Sequence, residues 1–191
     1  MTDGLQARIR RLQADEWKKL RSIRLEMIED TPTAYVESLA SARAQSEDQW
    51  QERAAAMAGP GNVSLVADDG WEGNPLRALM RVTAKLHQDP ARPPQAMLIS
   101  VYVAPGHRGS GLADEMLRQA VEAAGDELGA GLLQLGVHES NLRAQRFYLR
   151  HGFQDTGARE PYPLDTEHSE IIMERVLPAG REASRTHGVP G

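Results

Sequence analysis

The chain has 191 residues, a length that suits one domain with a substantial core better than two. Hydrophobic residues make up 40% and charged residues 26%, an ordinary globular mixture that argues against wholesale disorder. A formal net charge of −5 argues against nucleic-acid binding, and the absence of cysteine excludes disulfides, zinc–thiolate sites and thiol nucleophiles. The longest apolar run falls short of the ~20 residues of a membrane helix, and the N-terminus lacks an apolar signal core. A cytoplasmic protein is therefore expected.

The first third of the chain predicts one strand followed by two helices. The segment ARIRRLQ, residues 7–13, is typical of a short strand, and Asp15 is the predicted cap of the following helix. That helix ends at Pro32 and carries an apolar residue at every third or fourth position, which indicates one buried face. The members of this face are Trp17, Leu20, Ile23 and Met27. A second helix is predicted across Ser46–Met57.

Three strands are predicted next. The first is NVSLVADD, residues 62–69. The second is an alternating run over residues 76–87, whose pattern predicts one buried face, one solvent-facing face and a hairpin with its predecessor. The third, Ala96–Val103, is almost entirely apolar and therefore predicts a strand in the middle of a sheet, covered on both faces.

The second half alternates helices and strands. A helix with an apolar stripe is predicted after Gly111, then the strand GLLQLGV, a helix at Asn141–Arg150, and strands near Phe153–Thr156 and Glu170–Leu177. The order β-α-α-β-β-β-α-β-α-β-β predicts an α/β (α+β) fold, with a mixed sheet of about seven strands and about four helices. One domain is expected over residues 1–177. Residues 178–191 have too little apolar surface to offset their ordering entropy and are expected to form a disordered tail.

A glycine-rich turn separates the predicted central strand from the next helix. In VYVAPGHRGSGLADEML, residues 101–117, two closely spaced glycines leave the backbone bare at a helix N-terminus, where unpaired amides and the helix dipole favour an anion. Arg108 adds a cation able to hold phosphate oxygens. An ordinary strand–turn–helix connection is the alternative. The P-loop does not fit because Leu112 follows Gly111, and the dinucleotide fingerprint does not fit because Asp114 replaces its third glycine.

Two motifs together resemble the GNAT superfamily of acyl-CoA-dependent N-acyltransferases. RGSGLA, residues 108–113, matches that family's Arg/Gln-x-x-Gly-x-Gly/Ala turn. NLRAQRFYLRHGF, residues 141–153, is similar to its Asn-x-x-Ala-x-x-Phe/Leu-Tyr-x-x-x-Gly-Phe segment. The likeness is specific over about residues 96–153 and looser on both sides. It implies a GNAT-like fold and an N-acetyltransferase that uses acetyl-CoA (coenzyme A) as cosubstrate, without a metal.

The resemblance also implies a set of binding residues. Backbone groups of Val101, Tyr102 and Val103 would pair with the pantetheine arm as an added strand does. Asn141 would contact the pantetheine or thioester region, and it is equally suited to cap its helix. The pyrophosphate would lie against the amides of the turn, at Arg108, Gly109, Ser110, Gly111, Leu112 and Ala113.

Direct attack of a neutral amine on the thioester, in a ternary complex, needs no cysteine. The resemblance implies that Tyr148 stands near the thioester sulfur as general acid, and the alternative is a helix tyrosine with a buried ring. A backbone amide of the central strand would stabilise the oxyanion. The central strand itself holds no carboxylate. His138 and Glu139 are candidate bases, and the alternative is a solvated loop pair. Glu139 is the predicted catalytic carboxylate; ordered water or Glu37 are the other routes for deprotonating the amine.

The acceptor amine is not identified by a motif. Asp165 and Glu167 in the loop over residues 157–168, with Glu37 opposite, predict an acidic rim that favours a protonated amine. A small-molecule amine is favoured because there is no peptide-docking extension; a protein N-terminus or lysine is the alternative acceptor. A non-catalytic acyl-CoA sensor and a plain nucleotide-binding domain are the other classes. The retained Tyr148 and Asn141 argue against the first class. The mixed strand order and the second motif argue against the second class. No nucleic acid or membrane partner is expected, and the resemblance allows a homodimer.

Overall fold

The computed structural model describes residues 7–70, 73–85 and 94–178. Within them the chain forms seven strands and five α-helices, with two short 3₁₀ turns. The strands are β1 Arg8–Arg11, β2 Asn62–Asp68, β3 Ala78–Lys85, β4 Gln95–Val103, β5 Leu132–His138, β6 Gln154–Pro161 and β7 Ser169–Val176. The helices are α1 Trp17–Asp30, α2 Leu39–Ala44, α3 Glu47–Ala58, α4 Leu112–Asp126 and α5 Leu142–Arg150.

The seven strands form one mixed sheet in the order β1-β2-β3-β4-β5-β7-β6. Every neighbouring pair is antiparallel except β4 and β5, which are parallel and joined by the crossover helix α4. These two central strands pair only near their starts, where Gln95–Met97 lies beside Leu132–Gln134. Past those residues they separate, so the sheet is split between β4 and β5.

A hydrophobic layer covers each face of the sheet. On one face, Met116 and Leu117 of α4 and Tyr148 of α5 pack among the inward side chains of β2 to β5. On the other face, α1, α2 and α3 pack on β2, β3 and β4 around Trp50, which has no exposed surface. The apolar stripe predicted for α4 is its buried face, as an amphipathic helix requires.

The predicted fold class is confirmed, with seven strands and β4 in the middle of the sheet. The helix predicted from Ser46 is α3, and Ser46 caps it through a reciprocal capping box with Gln49. The short helix α2 is additional. Its six residues are too few to show a 3.6-residue period, and the side chain of Ser38 caps it.

Several local predictions are wrong for identifiable reasons. Asp15 does not cap α1; the helix follows Glu16, whose carboxylate accepts hydrogen bonds from Arg10 and from the Gln13 amide instead. β3 has no fully solvent-facing side, because Leu79 is buried against the α1 and α3 layer. β6 extends beyond its predicted end to Pro161, because Arg159–Pro161 pair with Ser169–Ile171 of β7 after an irregularity that follows Asp155. Residues 86–87 of the predicted strand and 179–191 of the predicted tail lie outside the described residues, and the domain boundary stays a prediction.

Candidate active site

The split between β4 and β5 begins beside an irregularity in β4. The register between β3 and β4 shifts between Leu79 and Arg81, and Ser100 has φ +55, the one positive φ of a described residue other than glycine. A bulge of this kind bends the strand that carries it. Past Met97, β4 therefore diverges from β5, and a cleft of about 790 Å³ occupies the gap. Residues of β3, β4, β5 and β7 line it together with the N-terminal ends of α4 and α5.

The edge of β4 that faces this cleft is partly engaged by side chains. The Tyr35 hydroxyl donates to the Val101 carbonyl at 2.9 Å, and Arg108 Nε donates to the Val103 carbonyl at 2.9 Å. The side chain of Tyr102 turns toward α1, where its hydroxyl donates to Glu26 at 3.0 Å. All three strand residues predicted to bind a ligand therefore line the cleft, but a strand-like ligand has to accommodate the Tyr35 hydroxyl at Val101.

The glycine-rich turn adopts a geometry that leaves its amides open. Gly109 and Gly111 have φ values of +80 and +85, the left-handed region that favours glycine, and Gly111 immediately precedes α4. A Cβ built on either glycine meets no atom within 4 Å. The Ser110 hydroxyl donates to the His107 carbonyl at 2.7 Å, which pins the turn. Among the described residues, the amides of Gly109, Gly111 and Ala113 have no acceptor, so they are free to bind an anion.

The charged side chains around this turn are paired. Arg108 forms an ion pair with Asp30 at the end of α1, and its guanidinium lies 5.7 Å from the centre of the Tyr102 ring. Arg108 therefore holds the turn against α1 and β4. The sequence suggested that this side chain is a free cation, but in the structure it is paired. Asp114 in the first turn of α4 lies 2.8 Å from His151 Nε2. Arg150 Nη2 lies 3.6 Å from the same carboxylate oxygen, and its positive charge offsets part of the repulsion which Asp114 would otherwise exert on an anion in the turn.

Tyr148 and Asn141 both line the cleft from α5. The Tyr148 ring packs against Phe147 and Phe153, and its hydroxyl makes no hydrogen bond to any described residue. Burial raises the pKa of Tyr148, so the phenol is protonated at neutral pH. Asn141 Oδ1 accepts the Ala144 amide at 3.1 Å, which is the helix cap anticipated as an alternative. Its side-chain nitrogen is still available to a ligand.

The two base candidates at the end of β5 have different surroundings. His138 is buried, and its Nδ1 accepts the Ser140 amide at 3.2 Å, which puts the ring proton on Nε2 in the neutral form. Glu139 is exposed and lies outside the cleft lining, and its carboxylate contacts His168 Nδ1 at 3.0 Å. This hydrogen bond lowers the pKa of Glu139. His138 lines the cleft with its acceptor nitrogen engaged by Ser140, whereas Glu139 does not line it.

A carboxylate that the sequence did not single out lies at the split itself. Glu170, on β7, is paired in register with His138 and lines the cleft. Burial raises the pKa of Glu170, and the nearby charge of Glu160 raises it further. The only advance signal was the segment EIIMERVL, residues 170–177, which predicts a strand but not what the Glu170 side chain meets. Glu170 is the partly buried carboxylate best placed to accept a proton in the cleft.

The carboxylates predicted to form an acidic rim do not form one around the cleft. Glu37 is surrounded by cations: its carboxylate accepts hydrogen bonds from Arg24 at 2.8 Å and from Arg53 at 2.9 and 3.0 Å. Burial alone would raise the pKa of Glu37, but these bonds outweigh burial and lower the pKa to about 2. Asp165 and Glu167 are exposed in the loop after β6 and do not line the cleft. The arginines face the cleft instead.

Across residues 7–70, 73–85 and 94–178, no three His, Asp or Glu side chains converge to hold a metal ion. No helix in the same described ranges is long and apolar enough to cross a bilayer.

Comparisons with known proteins agree with the fold and with the two motifs. A family model described as Acetyltransferase (GNAT) family matches residues 25–153. An uncharacterized N-acetyltransferase of Mycobacterium tuberculosis is 37% identical over 81 residues, which cover 42% of this chain and 51% of that protein. The chain thus spans about half the length of the curated relatives it matches.

Two solved structures share the fold along most of both chains. An acetyltransferase of the GNAT family from Streptococcus pneumoniae has a TM-score of 0.72 at 16% identity, covering 91% of this chain and 100% of that chain. Spermidine N-acetyltransferase from Vibrio cholerae, solved in complex with CoA and spermine, has a TM-score of 0.68 at 16% identity, covering 90% and 96%. At this level of identity the likeness concerns the fold alone.

Proposed function

Because the chain belongs to the acetyltransferase (GNAT) family, we propose that it is an acetyl-CoA-dependent N-acetyltransferase that acts on a small-molecule amine. One observation carries the proposal: the β4–β5 split opens directly beside the bare amides that precede α4. A ligand with an anionic end and an extended arm fits this pair of features. Coenzyme A has both, in its pyrophosphate and its pantetheine.

The residues present suit the coenzyme. The amides of Gly109, Gly111 and Ala113 offer donors to the pyrophosphate, and the absence of side chains at the two glycines lets it approach. The edge of β4 along the split offers backbone groups to the pantetheine amides, except where Tyr35 and Arg108 already engage the Val101 and Val103 carbonyls. The Asn141 amide nitrogen faces the same cleft and is a further donor for the arm or the thioester.

In this proposal the chemistry uses Glu170, Tyr148 and the backbone of β4. Glu170 accepts a proton from the ammonium, directly or through water, and the neutral amine then attacks the thioester carbonyl carbon. As the C–N bond forms, the attacking nitrogen becomes positively charged and gives its second proton to water. The oxyanion then collapses and the C–S bond breaks, and Glu170 releases its proton to solvent before the next turnover. Tyr148 donates its proton to the departing thiolate and regains one from solvent. A β4 amide that stabilises the oxyanion would contribute about 3–4 kcal/mol, and each proton transfer typically contributes ~10²–10⁴-fold in rate.

Glu170 replaces Glu139 as the proposed base because of position and environment. The Glu170 carboxylate lies in the cleft with a raised pKa, whereas the Glu139 carboxylate lies outside the lining with a lowered pKa. A general base works best when its pKa approaches the working pH. Glu139 as the base, the cytoplasmic location and the homodimer stay predictions.

Thermal unfolding with and without acetyl-CoA tests the proposal, with NAD and ADP as controls. A ligand at about 100 times its Kd adds about 2.7 kcal/mol of stability, which for a chain of this size raises the midpoint by about 5–11 °C. A rise with acetyl-CoA alone supports coenzyme binding, and thiol release on addition of amines then separates an enzyme from a non-catalytic sensor. No rise, or an equal rise with NAD, contradicts the proposal.

A further inference from the structure

Three arginines from three separate elements line the cleft on its α1–α3 side. Arg24 lies on α1, Arg53 on α3 and Arg81 on β3. Arg81 is opposite Ile99 in the β3–β4 register, immediately before the bulge at Ser100. Since residues two apart on a strand share a face, Arg81 stands on the same α1–α3 face as the buried Leu79, next to the start of the split.

The positive charge of this cluster is only partly offset. Glu37 is its one carboxylate partner among the described residues, and it is shared by Arg24 and Arg53. Arg81 donates instead to the neutral amide oxygen of Asn62, at 3.0 and 2.6 Å. Burial lowers the pKa of Arg81, and the nearby charge of Arg53 lowers it further, which indicates that the two guanidiniums are close. Two positive charges are left in excess.

One donor of the cluster is both buried and unpartnered. Arg24 is 7% exposed, and its Nη1 has no hydrogen-bond partner among the described residues. A buried guanidinium nitrogen without an acceptor is costly, because it has lost its hydration and gained no hydrogen bond in exchange. The Tyr35 ring, 4.9 Å from Arg24 Cζ, offsets only part of this cost. An anion in the cleft would supply that acceptor.

The opposite side of the cleft carries the opposite charge. Glu170 is in register with His138 of β5 on one side and with Glu160 of β6 on the other, so both carboxylates stand on the same face of the sheet as Arg81, across the split. Both carboxylates line the cleft. The cleft therefore has a cationic wall and an anionic wall, with the open edge of β4 between them.

We propose that the acceptor is an amine that also carries an anionic group, a carboxylate or a phosphonate, and that Arg24, Arg53 and Arg81 bind that group while the amine faces Glu170. The inference rests on the proposed acetyl transfer and adds its substrate class. A zwitterionic acceptor matches both walls at once. A polyamine would place positive charge against the arginine wall, and like charges in a confined site are repelled.

The test compares matched amines in acetyl-CoA-dependent thiol release by the full chain. The aminocarboxylates glycine, γ-aminobutyrate and ε-aminocaproate are compared with n-alkylamines of equal length and with the corresponding diamines. Hydrogen bonds to a charged group predict a kcat/KM about 10- to 100-fold higher for the best aminocarboxylate than for its alkylamine. In Arg53→Gln and Arg81→Gln that ratio is expected to fall by about tenfold or more. Arg43→Gln, which removes an exposed arginine outside the cleft, leaves the ratio unchanged.

A binding measurement separates failure of this inference from failure of the proposed function. Inorganic phosphate and ε-aminocaproate are titrated calorimetrically into protein saturated with CoA, so that the coenzyme phosphates are already bound. Binding that is weakened in Arg81→Gln supports the anion site even if no amine releases thiol, an outcome that would contradict acetyl transfer only. Equal use of alkylamines or diamines by an active enzyme overturns the inference. The inference is also overturned if Arg81→Gln weakens the binding of CoA but not the binding of phosphate or ε-aminocaproate.

Discussion

The carboxylate of Glu170 lies directly over Gly136 of the neighbouring strand. A Cβ built on Gly136 would meet Glu170 Oε2 at 3.2 Å and the carboxyl carbon at 3.3 Å. Gly136 pairs with Ile172, two residues along β7 from Glu170, and its missing side chain makes the space that the carboxylate occupies. A glycine in β5 therefore fixes the place of the proposed base at the edge of the split.

Gly136→Ala is expected to displace the Glu170 carboxylate by a few tenths of an ångström. This displacement should lower kcat without weakening the binding of acetyl-CoA. The clash involves the end of a flexible side chain, so the fold is retained. Steady-state kinetics measure kcat, and a titration with acetyl-CoA measures binding separately. Gly125→Ala is the control, because a Cβ there meets nothing within 4 Å and a helical glycine replaced by alanine gains about 0.5–1 kcal/mol. If both variants keep full kcat, Gly136 does not position the base.

Glu170→Gln is expected to lower kcat by ~10²–10⁴-fold and to remove the acidic limb of the pH–rate profile. The base acts when deprotonated, so the rate rises with pH through the pKa of Glu170, which burial raises from its ordinary value. Glu139→Gln is the matched control, since its exposed carboxylate has a lowered pKa. Loss of the acidic limb in Glu139→Gln alone would return the base role to Glu139.

Tyr148→Phe is expected to lower kcat by ~10²–10⁴-fold while acetyl-CoA binding stays nearly unchanged. The ring contacts with Phe147 and Phe153 persist in the variant, and no hydrogen bond to a described residue is lost. The thermal midpoint should therefore stay close to that of the unsubstituted chain. Single-turnover thiol release measures the chemical step. Unchanged release would show that the leaving thiolate takes its proton elsewhere, and Tyr148 would then be a packing residue.

Gly111→Ala is expected to weaken acetyl-CoA binding by about tenfold or more, because a Cβ would project among the open amides of the turn. The substitution also strains a backbone at φ +85, at a cost of about 1–2 kcal/mol. Gly129→Ala is the control for strain: its φ is +63, and it lies in the exposed connection after α4, away from the cleft. Calorimetric titration of acetyl-CoA distinguishes the two. Equal affinities would exclude the turn as the pyrophosphate site.

The parts of the site that depend on residues close together in the chain were predicted from the sequence. The apolar run of β4, the glycine turn before α4 and the cap at Asn141 each follow from residues within a few positions, and the structure places all three at one cleft. The resemblance to the GNAT family rested on the same segments and is confirmed. These parts of the site were therefore accessible without a structure.

The remainder of the site depends on register and on distant pairs. Glu170 faces the split because β7 pairs with β5, and no pattern in the sequence fixes that face. Arg81 and Glu170 are 89 positions apart, and only the common face of the sheet relates them. Glu37 was expected to be a free acidic group because its partners, Arg24 and Arg53, come from separate helices.

Glu37→Gln is expected to destabilise the protein by roughly 3 kcal/mol, because Arg24 and Arg53 would be left buried or half-buried without their carboxylate. The midpoint should fall by about 6–12 °C. The pKa of Glu37 is about 2 in the folded state and 4.5 ordinarily, so its stabilisation is complete above pH 4.5 and is lost as the pH falls toward 2. The difference in unfolding free energy between Glu37→Gln and the unsubstituted protein should therefore shrink over that interval in denaturant titrations.

Glu29→Gln, which breaks an exposed pair with Arg43, should cost at most about 1 kcal/mol. Equal losses in the two variants would mean that Glu37 does not hold the arginine cluster together.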